Sequence, residues 1–98
     1  MIKLKIVKNP EAGEYIVKWY EDGKFKEGPS YYTGGLDKDC EIDAVYTAIG
    51  MIRTARKNGK QAEFNADKYT LRIVNKHRPD FLVGGVRTEI QKASDERT

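Results

Sequence analysis

In 98 residues the chain has one cysteine (Cys40), one histidine (His77), one tryptophan and three prolines. One cysteine excludes an internal disulfide, and with a lone histidine no Cys/His zinc cluster can be assembled. Nor does Cys40 suit a nucleophile, because Asp39 and Glu41 beside it disfavour the thiolate. No apolar run approaches the ~18 residues that a membrane-spanning helix needs. The opening Met1-Ile2-Lys3-Leu4-Lys5 alternates where a signal peptide is continuously apolar. These absences predict a cytoplasmic protein with no membrane partner. Glycine pairs occur at 34/35 and 84/85, but they match no phosphate-loop spacing and read as turns. Length is short as well: it allows one small domain and excludes a two-domain enzyme. Excess charge is modest, with 18 Lys+Arg against 15 Asp+Glu and a net charge of +3.

What is present is a change of period. Residues 2–6 alternate, with Ile2, Leu4 and Ile6 on one side and Lys3 and Lys5 on the other, the pattern of a half-buried strand. Residues 14–20 alternate again, with Tyr15, Val17 and Trp19 opposite Ile16, Lys18 and Tyr20. Asp22-Gly23 supplies the pair of positive φ angles that a two-residue hairpin requires. A third strand returns through Lys24-Phe25-Lys26 and Tyr31-Tyr32, with Gly28-Pro29 marking a kink or bulge, since Pro29 has no amide to donate. After Gly34-Gly35 the period becomes 3.6, and Ile42, Val45, Tyr46, Ile49 and Ile52 define one face of a helix over residues 39–57. Acidic residues crowd its start, Arg53, Arg56 and Lys57 its end, and Asn58-Gly59 provides a left-handed stop. Gly50 inside this helix costs about 1 kcal/mol relative to alanine and implies close packing against the sheet. Beyond Gly59, residues 61–65 read as a short strand centred on Phe64, and residues 67–77 fit either a helix capped by Asp67 or a further strand. Phe81-Leu82-Val83 is a brief apolar run, Gly84-Gly85 a turn, residues 88–93 weakly helical, and 94–98 a frayed tail.

The predicted architecture is a single α+β domain. Its βββα core comprises a sheet segment over residues 1–33 and the main helix over 39–57, with a strand/helix appendage over 61–98.

Strand, strand, strand, helix, strand, helix is also the order of the ribonuclease H-like fold. Tyr32-Thr33 followed by Glu41, Ala44, Ala48 and Ile49 resembles that family's third-strand Tyr-Thr and Glu-x-x-Ala-x-x-x-Ala helix signature. Asn65-Ala66-Asp67-Lys68-Tyr69 resembles its Thr-Asp-Ser-x-Tyr turn into a second helix. The resemblance covers about residues 1–77. It implies that Glu41 and Asp67 occupy two of the carboxylate positions that hold Mg²⁺ for phosphodiester hydrolysis. The chain departs from the pattern at the end of the first strand, where the family's Asp is replaced by Lys8 or Asn9. Two of three ligands implies a truncated, inactive relative, of the kind found among antitoxins and phage accessory proteins. The competing assignment for both carboxylates is structural: Glu41 on a helix dipole, Asp67 as a helix cap.

Resolved along the chain, the charge is uneven: residues 29–51 sum to −3 and 52–78 to +6. Arg53, Arg56, Lys57, Lys60 and Lys76 are therefore the predicted nucleic-acid contacts, where salt-dependent phosphate binding would act. Helix-dipole complementation and solvated faces are the competing account of the same charges. Tyr20, Tyr31 and Tyr32 are the predicted interface residues of a sheet face that no helix covers, interleaved with Lys3, Lys5, Lys18, Lys24 and Lys26. The leading expectation is a non-enzymatic regulatory protein that contacts nucleic acid or a nucleoprotein complex and needs no cofactor. The rivals are a nuclease dependent on Mg²⁺, and a protein-interaction module or homodimer built on the sheet face.

Overall fold

The alternating segments fold as a meander. In the computed structural model, which describes residues 1–82, β1 (Ile2–Asn9), β2 (Glu14–Glu21) and β3 (Lys24–Tyr32) pair antiparallel in turn. Asp22 and Gly23 form the β2–β3 turn with φ of 52° and 81°, the left-handed pair that matches strand twist. The bulge expected at Gly28-Pro29 is present. Val17 pairs with Tyr31 and Trp19 with Lys26, so Lys18 stands opposite the stretch 27–30. Ser30 fills the irregularity, its hydroxyl accepting from the Trp19 amide at 3.3 Å and donating to the Lys26 carbonyl at 3.0 Å.

The period-3.6 segment is α1 (Lys38–Lys57). Asp37 caps it by accepting from the Cys40 amide at 2.8 Å. At the other end the Lys60 amide bonds the Ala55 carbonyl (2.9 Å) and the Gly59 amide the Arg56 carbonyl (3.0 Å), with Gly59 at φ 80°. That is the Schellman arrangement, and it uses orphan carbonyls of the last turn. The buried face differs from the expected stripe. It runs through Ala44, Val45, Ala48, Ile49, Ile52 and Ala55, while Ile42 is half-buried and Tyr46 is exposed. Three alanines let the helix approach the sheet, a role that large-residue periodicity overlooks. Gly50 is also corrected: it is exposed, and an added Cβ there would meet nothing within 4 Å, so close packing does not explain it.

The strand expected after Gly59 is present, and of the two readings open for residues 67–77 the structure takes the helix, with Asp67 as its cap. β4 (Ala62–Phe64) adds parallel to β1, giving the order β3-β2-β1-β4, with α1 as the crossover between the sheet's two edges. α2 (Lys68–His77) follows, then a short 3₁₀ turn, Pro79–Phe81. Ile73, Val74 and Leu82 join Leu4, Ile6, Val17, Val45, Ile49 and Phe64 in one core, on the sheet face that α1 covers. The element order is the one that the ribonuclease H-like resemblance implies. Val83, the Gly84-Gly85 turn, the helical reading of 88–93 and the frayed tail lie outside the described residues.

β4 stops early, and this shapes everything downstream. It pairs with β1 only from Ile2 to Leu4, and the Asn65 amide makes the last bond, to the Leu4 carbonyl at 2.8 Å. The next amide of β1 facing that edge is Ile6, which donates instead to the Thr70 hydroxyl of α2 at 3.0 Å. Thr70 is fully buried, and its hydroxyl is within 2.7 Å of Asp67 Oδ2, the donor's natural acceptor. Thr70→Val, which keeps the shape and removes the hydroxyl, is expected to destabilise the fold by about 1–3 kcal/mol in urea unfolding, the cost of an unsatisfied buried amide. Gly50→Ala is expected to act the other way, stabilising by roughly 0.5–1 kcal/mol in the same measurement, because the exposed site has room for the methyl.

Candidate functional site

Beyond Leu4, β1 continues without a strand on its β4 side among the described residues, and Lys8 stands at its end on the core side of the sheet, paired across with Tyr15. Around that end the fold gathers the first turn of α1, the last turn of α2 and the start of β2. Thr33 fixes the β2 contribution: its hydroxyl accepts from the Tyr15 amide at 2.8 Å and donates to the Gly35 carbonyl at 2.8 Å. Tyr15 is thereby held with its ring in the core and its hydroxyl donating to Glu41 Oε2 at 3.0 Å.

Glu41 is the hub. Lys76 Nζ donates to Oε1 at 3.0 Å, and His77 Nε2 lies 2.6 Å from the same oxygen. An acidic residue in the first turn of α1 thus meets basic residues in the last turn of α2, each complementing its own helix dipole as well as the other. Burial pushes the Glu41 carboxyl up, but the hydrogen bonds from His77, Lys76 and Tyr15 outweigh it and bring it down to about 2. The same contact acts inversely on Tyr15: burial first, then the Glu41 carboxylate, raise its hydroxyl to about 12, so it remains a donor.

Asp67 is engaged as a cap. Oδ1 accepts from the Thr70 amide at 3.0 Å, and Oδ2 is 2.7 Å from both Asn65 Nδ2 and Thr70 Oγ1. Burial works against its ionised form, yet these donors hold its carboxyl below the usual value. All four oxygens of Glu41 and Asp67 therefore have protein donors. Lys8 lines the same cavity as Glu41, where the resemblance expects a third carboxylate. Among the described residues no group of three or more His, Cys, Asp and Glu is placed to hold a metal ion. This donor set does not fit Mg²⁺, which needs hard oxygens left free of ammonium partners.

The five predicted basic residues do not form one patch. Lys76 joins Glu41 near the start of α1, and Lys57 lies sixteen residues further along the helix, roughly 24 Å away at 1.5 Å per residue. Arg53 stacks on Phe81, with its guanidinium 4.8 Å from the ring centre, and Arg56 Nε donates to the Ala62 carbonyl at 3.0 Å. Lys57 and Lys60 remain exposed at the C-terminal end of α1. The basic residues that do converge are Lys8, Arg72 and Lys76 around a cavity of about 450 Å³, and Lys5, Lys8 and Lys18 around an adjoining one of about 500 Å³. Lys8 and Tyr69 line both. Sequence reading passed over Lys8 and Arg72 as site residues; the signal for Lys8 lay in its replacing an expected carboxylate.

The predicted tyrosine interface also divides. Tyr31 pairs with Val17, so it lies on the helix side of the sheet, where its hydroxyl donates to Asp43 at 2.5 Å. Tyr32 pairs with Ile16 and Tyr20 with Phe25, placing them on the opposite face beside Lys3, Lys5 and Lys18. Ile16 is buried, Tyr20 half-buried, and Tyr32 and Phe25 are exposed at 43% and 45%. Tyr20 and Phe25 contact ring to ring at 5.6 Å and 54°, and Lys18 Nζ lies 5.7 Å from the Phe25 ring centre. Lys24 and Lys26 pair with Glu21 and Trp19, on the helix side.

A carboxyl lowered from 4.5 to about 2 contributes stability that is complete above pH 4.5 and lost as pH falls through 2. Asp67, lowered in the same direction, adds to it. Glu41→Gln is expected to cost about 1.5–3 kcal/mol at pH 7, the range for hydrogen bonds to a charged group, and to flatten the acid limb of a stability–pH curve measured by urea unfolding. No protein-family model, curated protein or solved structure matches the chain.

Proposed function

We propose that the protein is a non-catalytic, single-stranded nucleic-acid-binding module that uses the sheet face opposite α1. The observation that carries this reading is the pairing of Tyr20 with exposed Phe25 beneath the Lys18 ammonium, on a face that also bears Lys3, Lys5 and Tyr32. Bases unstacked from a duplex present a π-face that such rings accept whatever the sequence, while lysines between them neutralise the phosphates. A sheet supplies this geometry well, because residues two apart on neighbouring strands form a flat, rigid array. Lys3 is ion-paired with Glu63 of β4 and the Lys5 charge acts on Asp67, which leaves Lys18, the direct cross-strand partner of Lys5, as the cation of the face without a carboxylate partner among the described residues. The modest net charge favours moderate affinity carried by stacking over a purely electrostatic grip.

Catalysis is the weaker reading for a residue-level reason: the oxygens that would hold Mg²⁺ already accept from Lys76, His77, Tyr15, Asn65 and Thr70. Contact on nucleic acid or on a nucleoprotein complex needs none of them free.

The test is fluorescence anisotropy with a labelled oligothymidine and a duplex of the same length, at about 50 and 200 mM salt. Expected is preferential binding of the single strand, weakening with salt. Phe25→Ala should lower affinity on the order of tenfold, the loss of one base stack, while costing only the ring contact with Tyr20 in unfolding, about 0.5–1.5 kcal/mol. Absence of binding at ~50 mM salt, or full affinity in Phe25→Ala, rejects the reading. A homodimer by sedimentation in which Phe25→Ala dissociates the subunits would reassign the face to a protein partner.

A further inference from the structure

The cavity at the end of β1 carries a second kind of site. Its wall is formed by Lys8, Tyr15, Glu41, Tyr69, Arg72 and Lys76. The Glu41 charge is matched by Lys76, with which it is ion-paired, and both its oxygens are already hydrogen-bonded. Lys8 and Arg72 form no ion pair among the described residues. Two cations therefore face the cavity without a carboxylate of their own, a surplus of two charges. The Arg72 guanidinium lies over the Tyr69 ring, 5.5 Å from its centre. A cation–π contact uses none of the guanidinium's N–H donors, which can bind oxygen in the fork geometry suited to phosphate.

We infer that this cavity binds a phosphate group bearing two negative charges, gripped by Lys8 and Arg72 with the Tyr69 ring as its wall. A single carboxylate would leave half the surplus charge uncompensated, and a metal cation would meet two unpaired cations. The adjoining cavity, lined by Lys5, Lys18, Asp67 and the shared Lys8 and Tyr69, connects this site to the lysines of the sheet face opposite α1. The phosphate can thus belong to a small free molecule or be the terminal phosphate of a strand lying on that face. The site stands without the strand-binding reading, because its cations are not those of the Tyr20–Phe25 surface.

The experiment is titration of the ¹⁵N-labelled full chain with inorganic phosphate at slightly alkaline pH, where the dianion predominates, followed by amide and arginine Nε–H signals. Expected are saturable shifts centred on Lys8, Tyr69 and Arg72, with affinity falling at least tenfold in Lys8→Ala and in Arg72→Ala, and unchanged in Phe25→Ala. Lys8→Gln guards against a packing artefact and should match Lys8→Ala. Shifts centred instead on Lys57 and Lys60, or affinity unaltered in both cavity variants, overturn the inference. A second arm compares one oligonucleotide carrying a 5′-phosphate, a 3′-phosphate or neither. Tighter binding of one phosphorylated form, abolished by Lys8→Ala, assigns the site to a strand terminus. Equal binding of all three, alongside binding of inorganic phosphate, assigns it to free phosphate compounds.

Discussion

One hydrogen bond sets the geometry of this protein: the Ile6 amide of β1 donating to the buried hydroxyl of Thr70. β1 is an interior strand of the sheet, yet β4 accompanies it only as far as Leu4. A buried amide left without an acceptor costs more than most single contacts supply, so the chain must offer one when the strand turns away. Thr70 does so from α2, which ties that helix to the edge of β1 at one register. Asp67 holds Thr70 by its amide and hydroxyl, and Asn65 holds Asp67. The residues that looked like a degenerate metal motif are the relay that passes the edge of β1 from a strand to a helix.

Once α2 is seated, its last turn must meet the first turn of α1, and Glu41 lies between them. The carboxylate joins three elements distant in sequence: Tyr15 from β2, and Lys76 and His77 from α2. Concentrating donors on Glu41 has a further effect on the surroundings. Its charge is answered locally, so the neighbouring cations Lys8 and Arg72 are left to face the cavity. A position that in a metal-dependent enzyme would be anionic is here lined by three cations, Lys8, Arg72 and Lys76, against the single carboxylate of Glu41.

The two sheet faces divide the labour. Packing alanines along α1 brings that helix close over one face and makes it core. The other face keeps its lysines and aromatic rings, arranged by the register of β1, β2 and β3. The Asp22-Gly23 turn sets Phe25 against Tyr20, and the bulge at Gly28-Pro29 shifts the register beyond them, which is why Tyr31 turns inward to Asp43. Adjacent tyrosines in sequence thus take opposite roles, one structural and one at the surface.

The hairpin at Asp22-Gly23 and the approximate limits of α1 were legible because each depends on neighbours within a few residues: positive φ, acidic residues in a first turn, a left-handed stop. The choice of helix for residues 67–77 was not, since Leu71-Arg72-Ile73-Val74 satisfies both periods; burial of Thr70, Ile73 and Val74 on one side decides it. Small residues misled in both directions, because Gly50 lies at the surface while Ala44, Ala48 and Ala55 carry the contact with the sheet. Charge misled for the same reason. Lys76 and Lys57 share a basic block in sequence but lie near opposite ends of a helix, whereas Lys8 and Arg72, 64 residues apart, line one cavity. Local sequence sets backbone conformation, because turns, caps and periods involve adjacent atoms. Which charges are cancelled and which are left facing a cavity depends on contacts made across the fold, and only the packed chain brings those partners together.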